Sequence, residues 1–174
     1  MIFISAGHYP EKPGACFEGF CEHAEAVSWA KTIAMQLLNF GATADLVPVG
    51  KLKDKVDFIN SRGADLAVEI HFNSDPKHAG RGCETLHYPS SPKGIRAAKL
   101  AQSFMADVMG NDRGIKVGYY QMDPSRGVDH FLRATDCPSL IIEPEFIHNK
   151  DIIQENKQEC SEEIAKALAI FLTP

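Results

Sequence analysis

The sequence predicts an α/β domain: a twisted, mostly parallel mixed sheet of about five to six strands, with helices on both faces. Three observations carry this. Short apolar runs alternate with longer stretches of helical period along the chain. A length of 174 residues suits a single hydrophobic core. No internal repeat, low-complexity tract or long linker breaks the alternation, so one domain is expected over residues 1–174.

The elements follow in order. Residues 1–6 (MIFISA) read as a buried strand. Glu22 to Asn39 reads as a helix with Val27, Ala30, Ile33, Ala34, Leu37 and Leu38 on one face, and Gly41 as its stop. Residues 43–48 (TADLVP) form the next strand, and Lys51 to Arg62 returns to helical period through Leu52, Val56 and Ile59. Strands are expected over Leu66 to His71 and over Cys83 to Tyr88. Pro92 to Met109 is a helix built on Ile95, Ala98, Leu100, Ala101, Phe104 and Val108. Ser139 to Ile142 is an apolar strand of the sheet centre, and Asp151 to Leu172 is the closing helix. The stretch from Gly110 to Arg133, rich in Gly, Asp and Arg, is expected to hold a loop and a short edge strand.

Composition excludes several classes of function. Lys and Arg number 18 against 23 Asp and Glu, for a net charge of −5, and no basic stripe appears, which argues against a nucleic-acid partner. No apolar run approaches the roughly 20 residues that cross a bilayer, so membrane insertion is not expected. Met1-Ile2-Phe3-Ile4 has neither the basic start nor the long apolar core of a leader peptide. The five cysteines, Cys16, Cys21, Cys83, Cys137 and Cys160, are odd in number and form no CxxC pair. Free thiols are therefore expected, with neither a disulfide scaffold nor a cysteine zinc site.

Polar groups that could do chemistry fall where strands end. His8 follows the first strand, His71 ends the third and Glu143 ends the last. Ligands of open α/β sheets bind beyond the carboxyl ends of strands, so these residues can converge. Glu22 opens the first helix, and the loop from Tyr9 to Cys21 can return it over His8. Two imidazoles and a carboxylate form the ligand set of a catalytic zinc with one open position. Glu143 could then be the base acting on water. Taken singly, each residue has an ordinary structural role, so placement alone leaves a zinc centre and four unrelated polar residues as open alternatives.

The motifs narrow the choice. "IFISAGH" with Gly14-Ala15, "GFCE" ending at Glu22, "ADLAVEIHFNS", "GCETLHY", "RGIK" and "FLRATDCPSLIIEPEFIHN" run in order through nearly the whole chain. In that order and spacing the sequence resembles the zinc-dependent N-acetylmuramoyl-L-alanine amidases, with which bacteria and phages cut peptidoglycan. The resemblance implies one Zn2+ per chain, held by His8, Glu22 and His71, and makes Glu143 the general base and then the proton donor. It implies hydrolysis of the amide between N-acetylmuramic acid and L-alanine. Peptidoglycan or a muropeptide is the expected partner, and the protein is expected to be a monomer without a separate wall-binding domain. The expected setting is synthesis in the cytoplasm, with action on the wall after release or on recycled fragments inside the cell. A zinc peptidase or deacylase, and a non-catalytic peptidoglycan-binding module, are the rival readings.

Departures from the family pattern sit near the expected metal. Ser5-Ala6 stands where an Asp-Pro pair is usual, Glu69 where a small residue is usual, and Glu145 where a glycine is usual. Side chains alternate along a strand, so Glu69 shares a face with His71 and Asn73. Glu69 is expected either to reach the His8 or His71 imidazole in place of the missing aspartate, or to form an ordinary salt bridge. Glu25 is a rival ligand one helical turn beyond Glu22. His23 and His130 are read as surface or loop histidines. Asn73 and Ser74 could line the groove, and Arg126 and Arg133 could hold stem-peptide carboxylates, since the guanidinium fork binds carboxylates bidentately. Arg113 is read as a solvated loop charge and Trp29 as core.

Overall fold

A computed structural model describes residues 1–173. Its main sheet has six strands in the order β4 (Ala44–Leu46), β1 (Ile2–Ala6), β5 (Leu66–Ile70), β8 (Ser139–Glu143), β6 (Cys83–His87) and β7 (Asp112–Val117). All neighbours are parallel except β6 and β8, which run antiparallel. Three long helices, α1 (Glu22–Asn39), α3 (Pro92–Met109) and α5 (Lys150–Leu172), cover one face. The shorter α2 (Leu52–Asn60) and α4 (His130–Ala134) cover the other. The expected architecture is therefore present, a single α/β domain with a mostly parallel sheet between two helical layers.

Alternation along the strands builds both cores and the site. Ile2, Ile4, Val68, Ile70, Leu140 and Ile142 pack under the long helices with Trp29, Ile33 and Leu37 of α1. Phe3, Ala67, Leu86 and Ile141 pack under α2 and α4. Two residues further towards the carboxyl ends of the parallel strands, the second face turns polar at Ser5, Glu69 and Glu143. β6 runs the other way, so Glu84, near its start, lies level with them, directly opposite Glu143.

The Gly110–Arg133 stretch holds more structure than expected. It contains edge strand β7, two single 3-10 turns at Tyr120–Met122 and Pro124–Arg126, and the start of α4. Among the described residues, no helix is long and apolar enough to cross a membrane.

The cysteine reading needs correction. Cys16 and Cys21 are joined by a disulfide, while Cys83, Cys137 and Cys160 are free. The cause is a small hairpin of β2 (Cys16–Phe17) and β3 (Phe20–Cys21), in which Cys16 and Cys21 are directly paired. Glu18 and Gly19 both take positive φ, 48° and 80°, as a tight two-residue hairpin turn requires. Counting cysteines could not reveal this, but CFEGFC, with Glu-Gly between two apolar pairs, carries the hairpin signal.

Candidate metal centre

The carboxyl ends of β1 and β5 and the first turn of α1 meet at one point. His8 follows β1 immediately, Glu22 is the first residue of α1, and His71 follows β5 immediately. His8 Nε2 lies 3.0 Å from Glu22 Oε2, and His71 Nδ1 lies 2.9 Å from Glu22 Oε1. One ligand atom from each residue falls within 4.8 Å of the other two. Glu22 is buried, whereas the two histidines are partly open to solvent.

The surrounding chain is shaped to this trio. Glu22 accepts backbone N–H bonds from Ala15 at 3.1 Å and from Phe72 at 3.1 Å. Gly14 has φ +76°, and a Cβ there would stand 2.4 Å from Glu22 Oε2 and 2.6 Å from the His8 ring. A Cβ on Gly7 would stand 2.6 Å from the His71 ring. Only glycine lets the backbone pass so close to the side chains of the trio.

The titrating groups of the trio act strongly on one another. Burial opposes ionisation of Glu22, but the hydrogen bonds from His71 and His8 outweigh it and hold the carboxyl well below its usual range. Burial alone would lower the His71 imidazole, yet Glu22 on one side and Glu69 on the other raise it well above its usual value. Of the two carboxylates beside His71, Glu69 is already paired with the Lys55 ammonium, so Glu22 is the anion left between the two imidazoles. Two imidazoles and a carboxylate suit a catalytic zinc.

Glu143 ends β8, next to β5, and its carboxyl is pushed up to about 7. Burial is the main cause; His71 pulls it down, Glu84 and Glu22 push it up, and Lys116 pulls it down. A carboxyl that titrates near neutrality can take and return a proton within one turnover.

Glu69 lies inside the second face. Its Oε2 is 3.0 Å from His71 Nε2, and its Oε1 accepts from Ser5 Oγ and Lys55 Nζ, each at 3.1 Å. It therefore does both things considered for it, touching an imidazole and forming a salt bridge. Lys55 carries no signal of its own in the sequence. It lies within the helical period of α2 between charged Asp54 and apolar Val56, and nothing in its neighbours marks it as buried.

The other candidates divide. Asn73 follows the site, with its backbone tied to Glu145 and Ile147, and its buried Nδ2 has no partner among the described residues. Ser74 is exposed. Arg126 is exposed on its 3-10 turn and covers the Tyr120 ring at 4.6 Å. Arg133 donates to His130 Nδ1 at 3.2 Å and lines a separate pocket with Tyr88, Ser91, Thr135 and Cys137. Among the described residues, no hydrogen bond or ion pair joins Arg126 or Arg133 to the trio. Arg113 is not a solvated loop charge, since its Nε donates to buried Glu84 at 2.6 Å. His23 is not at the surface: it is buried, with Nδ1 2.8 Å from the Gly7 carbonyl. Glu25 is only half-buried, lies outside the trio and faces Lys157. Trp29 is fully buried core.

Comparison with known proteins agrees with this fold. The N-acetylmuramoyl-L-alanine amidase LytC of Bacillus subtilis (strain 168) is 26% identical over 165 residues, which are 90% of this chain and 31% of that protein. The chain thus spans about a third of the length of this curated relative. The structure of N-acetylmuramoyl-L-alanine amidase AmiC2 of Nostoc punctiforme superposes with a TM-score of 0.84 at 22% identity, covering 99% of this chain and 97% of that one. The catalytic domain of the CD27L endolysin targeting Clostridia difficile gives 0.79 at 23% identity, covering 96% and 95%. At such identities these two structures support the fold alone. The family profile described as N-acetylmuramoyl-L-alanine amidase matches residues 2–173, so the chain belongs to the N-acetylmuramoyl-L-alanine amidase family.

Proposed function

We propose that the chain is a zinc-dependent hydrolase of the amide bond between N-acetylmuramic acid and L-alanine in peptidoglycan or its muropeptide fragments. It acts as a monomer with one zinc, and residues 1–174 form the catalytic unit. The observation that supports this reading is the convergence of His8, Glu22 and His71 near half-buried Glu143, in a chain matching the amidase family over 2–173.

The trio would hold zinc through Glu22 and the histidine nitrogens that face it, His8 Nε2 and His71 Nδ1. When bound, zinc supplies Lewis-acid polarisation of the substrate carbonyl and makes water more acidic. Glu143 takes the proton of the attacking water and returns it to the alanine nitrogen as the C–N bond breaks. Glu69 fixes the tautomer of His71 by accepting from Nε2–H, which leaves Nδ1 free on the Glu22 side. Asn73 offers an uncommitted amide donor on the same strand extension.

The test is digestion of purified peptidoglycan by the zinc-loaded protein, with product ends identified chemically. Falling turbidity with new L-alanine amino groups is the expected result. New reducing ends without alanine amines would make the protein a glycosidase. Cleavage of free peptides but not of muropeptides would make it a peptidase.

A further inference from the structure

Lys55 is a buried lysine on a helix that supplies no ligand. Its side chain is 3% exposed, and the Glu69 carboxylate it meets is 4% exposed. The ammonium donates to the carbonyls of Ala6 and His8, the latter at 3.0 Å, and to Glu69 Oε1 at 3.1 Å. Three donors meet three acceptors, so the group is fully satisfied without water.

Those acceptors lie directly behind two of the three trio residues. Glu69 passes the contact on, through Oε2, to His71 Nε2 at 3.0 Å. The His8 carbonyl belongs to a residue at φ +59°, a left-handed conformation that side chains other than glycine rarely adopt. The bond from Lys55 holds that carbonyl where the unusual backbone puts it, and with it the direction of the His8 ring.

We infer that Lys55 is a positioning residue of the metal centre: its buried ammonium ties the carboxylate behind His71 to the backbone of His8, and so sets the aim of both histidines. The inference rests on the reading of the trio as a metal site.

Stability alone does not account for the arrangement. A buried ion pair is commonly matched or exceeded in stability by an apolar pair of similar volume. Electrostatics alone would disfavour it too, because a lysine so close behind the trio repels an incoming cation. Orientation is the role that remains for a full set of contacts to these particular acceptors.

The experiment compares zinc affinity, by competition with a chelating dye, and metal-free melting temperature across four proteins: wild type, Lys55→Met, Glu69→Gln and the double variant. Lys55→Met is expected to bind zinc roughly 10- to 100-fold more weakly. The single variant also leaves Glu69 buried without its counter-charge, so it melts early. The double variant removes both charges, and its melting temperature returns towards wild type. Its zinc affinity stays below that of Glu69→Gln alone, although loss of the repelling lysine should by itself strengthen binding. Should Lys55→Met fail to fold, the comparison of the double variant with Glu69→Gln decides. A double variant that binds zinc as tightly as Glu69→Gln, or a folded Lys55→Met that matches wild type, overturns the inference. A wild-type protein that takes up no zinc refutes the metal centre itself, and not the lysine.

Discussion

Glu84 and Glu143 face each other directly across the antiparallel β6–β8 ladder, and only one of them has cations of its own. Glu84 is paired with Arg113 Nε at 2.6 Å and Lys116 Nζ at 2.5 Å, which hold it ionised despite its burial. Its charge helps push Glu143 up to about 7. The active form of a base is ionised, so the rate rises with pH as Glu143 loses its proton. A cation in the trio lowers that midpoint, placing the acid limb of kcat/KM at or below about 7. Glu84→Gln removes a like charge and frees two cations, so the limb should move to lower pH. An unmoved pH–rate profile in this variant would show that the two carboxylates are not coupled.

Glu143 and His71 should separate chemistry from metal binding. Glu143→Gln is expected to keep zinc and the fold while turnover drops about 100-fold or more. His71→Ala is expected to lose metal and turnover together. Elemental analysis beside activity measurements reads both. Full zinc in His71→Ala would place the metal elsewhere, and near-normal turnover in Glu143→Gln would remove it from the mechanism.

Gly14 gives a test by steric intrusion. Gly14→Ala places a methyl within 2.4 Å of Glu22 Oε2 at a φ of +76°. The left-handed backbone costs an L-residue about 1–2 kcal/mol, and Glu22 must also shift. Weaker zinc binding and a lower melting temperature are expected. A variant with wild-type metal affinity would show that Glu22 is not a ligand.

The Cys16–Cys21 disulfide closes a short loop, with a sequence separation of 5. Chain-entropy arguments give such a loop roughly 2 kcal/mol of stabilisation. Cys16→Ser/Cys21→Ser should unfold at lower denaturant than the oxidised protein and match the reduced wild type. Equal midpoints for oxidised and reduced wild type would mean that the hairpin holds without the bond.

The layered fold was legible because both apolar faces of the strands repeat at period two and the long helices carry clear stripes. The convergence of the three ligand candidates and the place of Glu143 were legible for a related reason: each follows or ends a strand, or opens a helix, and Glu22 needed only a returning loop. Lys55 was hidden because local sequence sets a lysine in a helix among other charges, while its burial comes from β1 and β5, far along the chain. The burial of His23 has the same origin, since its partner is the Gly7 carbonyl. Where Arg133 points was not legible, because residue type says nothing of direction; α4 carries it to a pocket that the trio does not line. The disulfide is signalled by the turn chemistry of CFEGFC, of which the total cysteine count carries no trace.

Glu22 is anchored through the N–H groups of Ala15 and Phe72 as well as through its histidines, so it joins an irregular loop, the start of α1 and the extension of β5. Its shape is therefore set by the framework and not by what it binds. Loading and unloading should leave circular dichroism unchanged and release little heat-capacity signal, unlike small zinc domains that exist only when filled. If the trio holds the proposed metal, the chain would stay folded when that metal is scarce and would need no refolding step to take it up again.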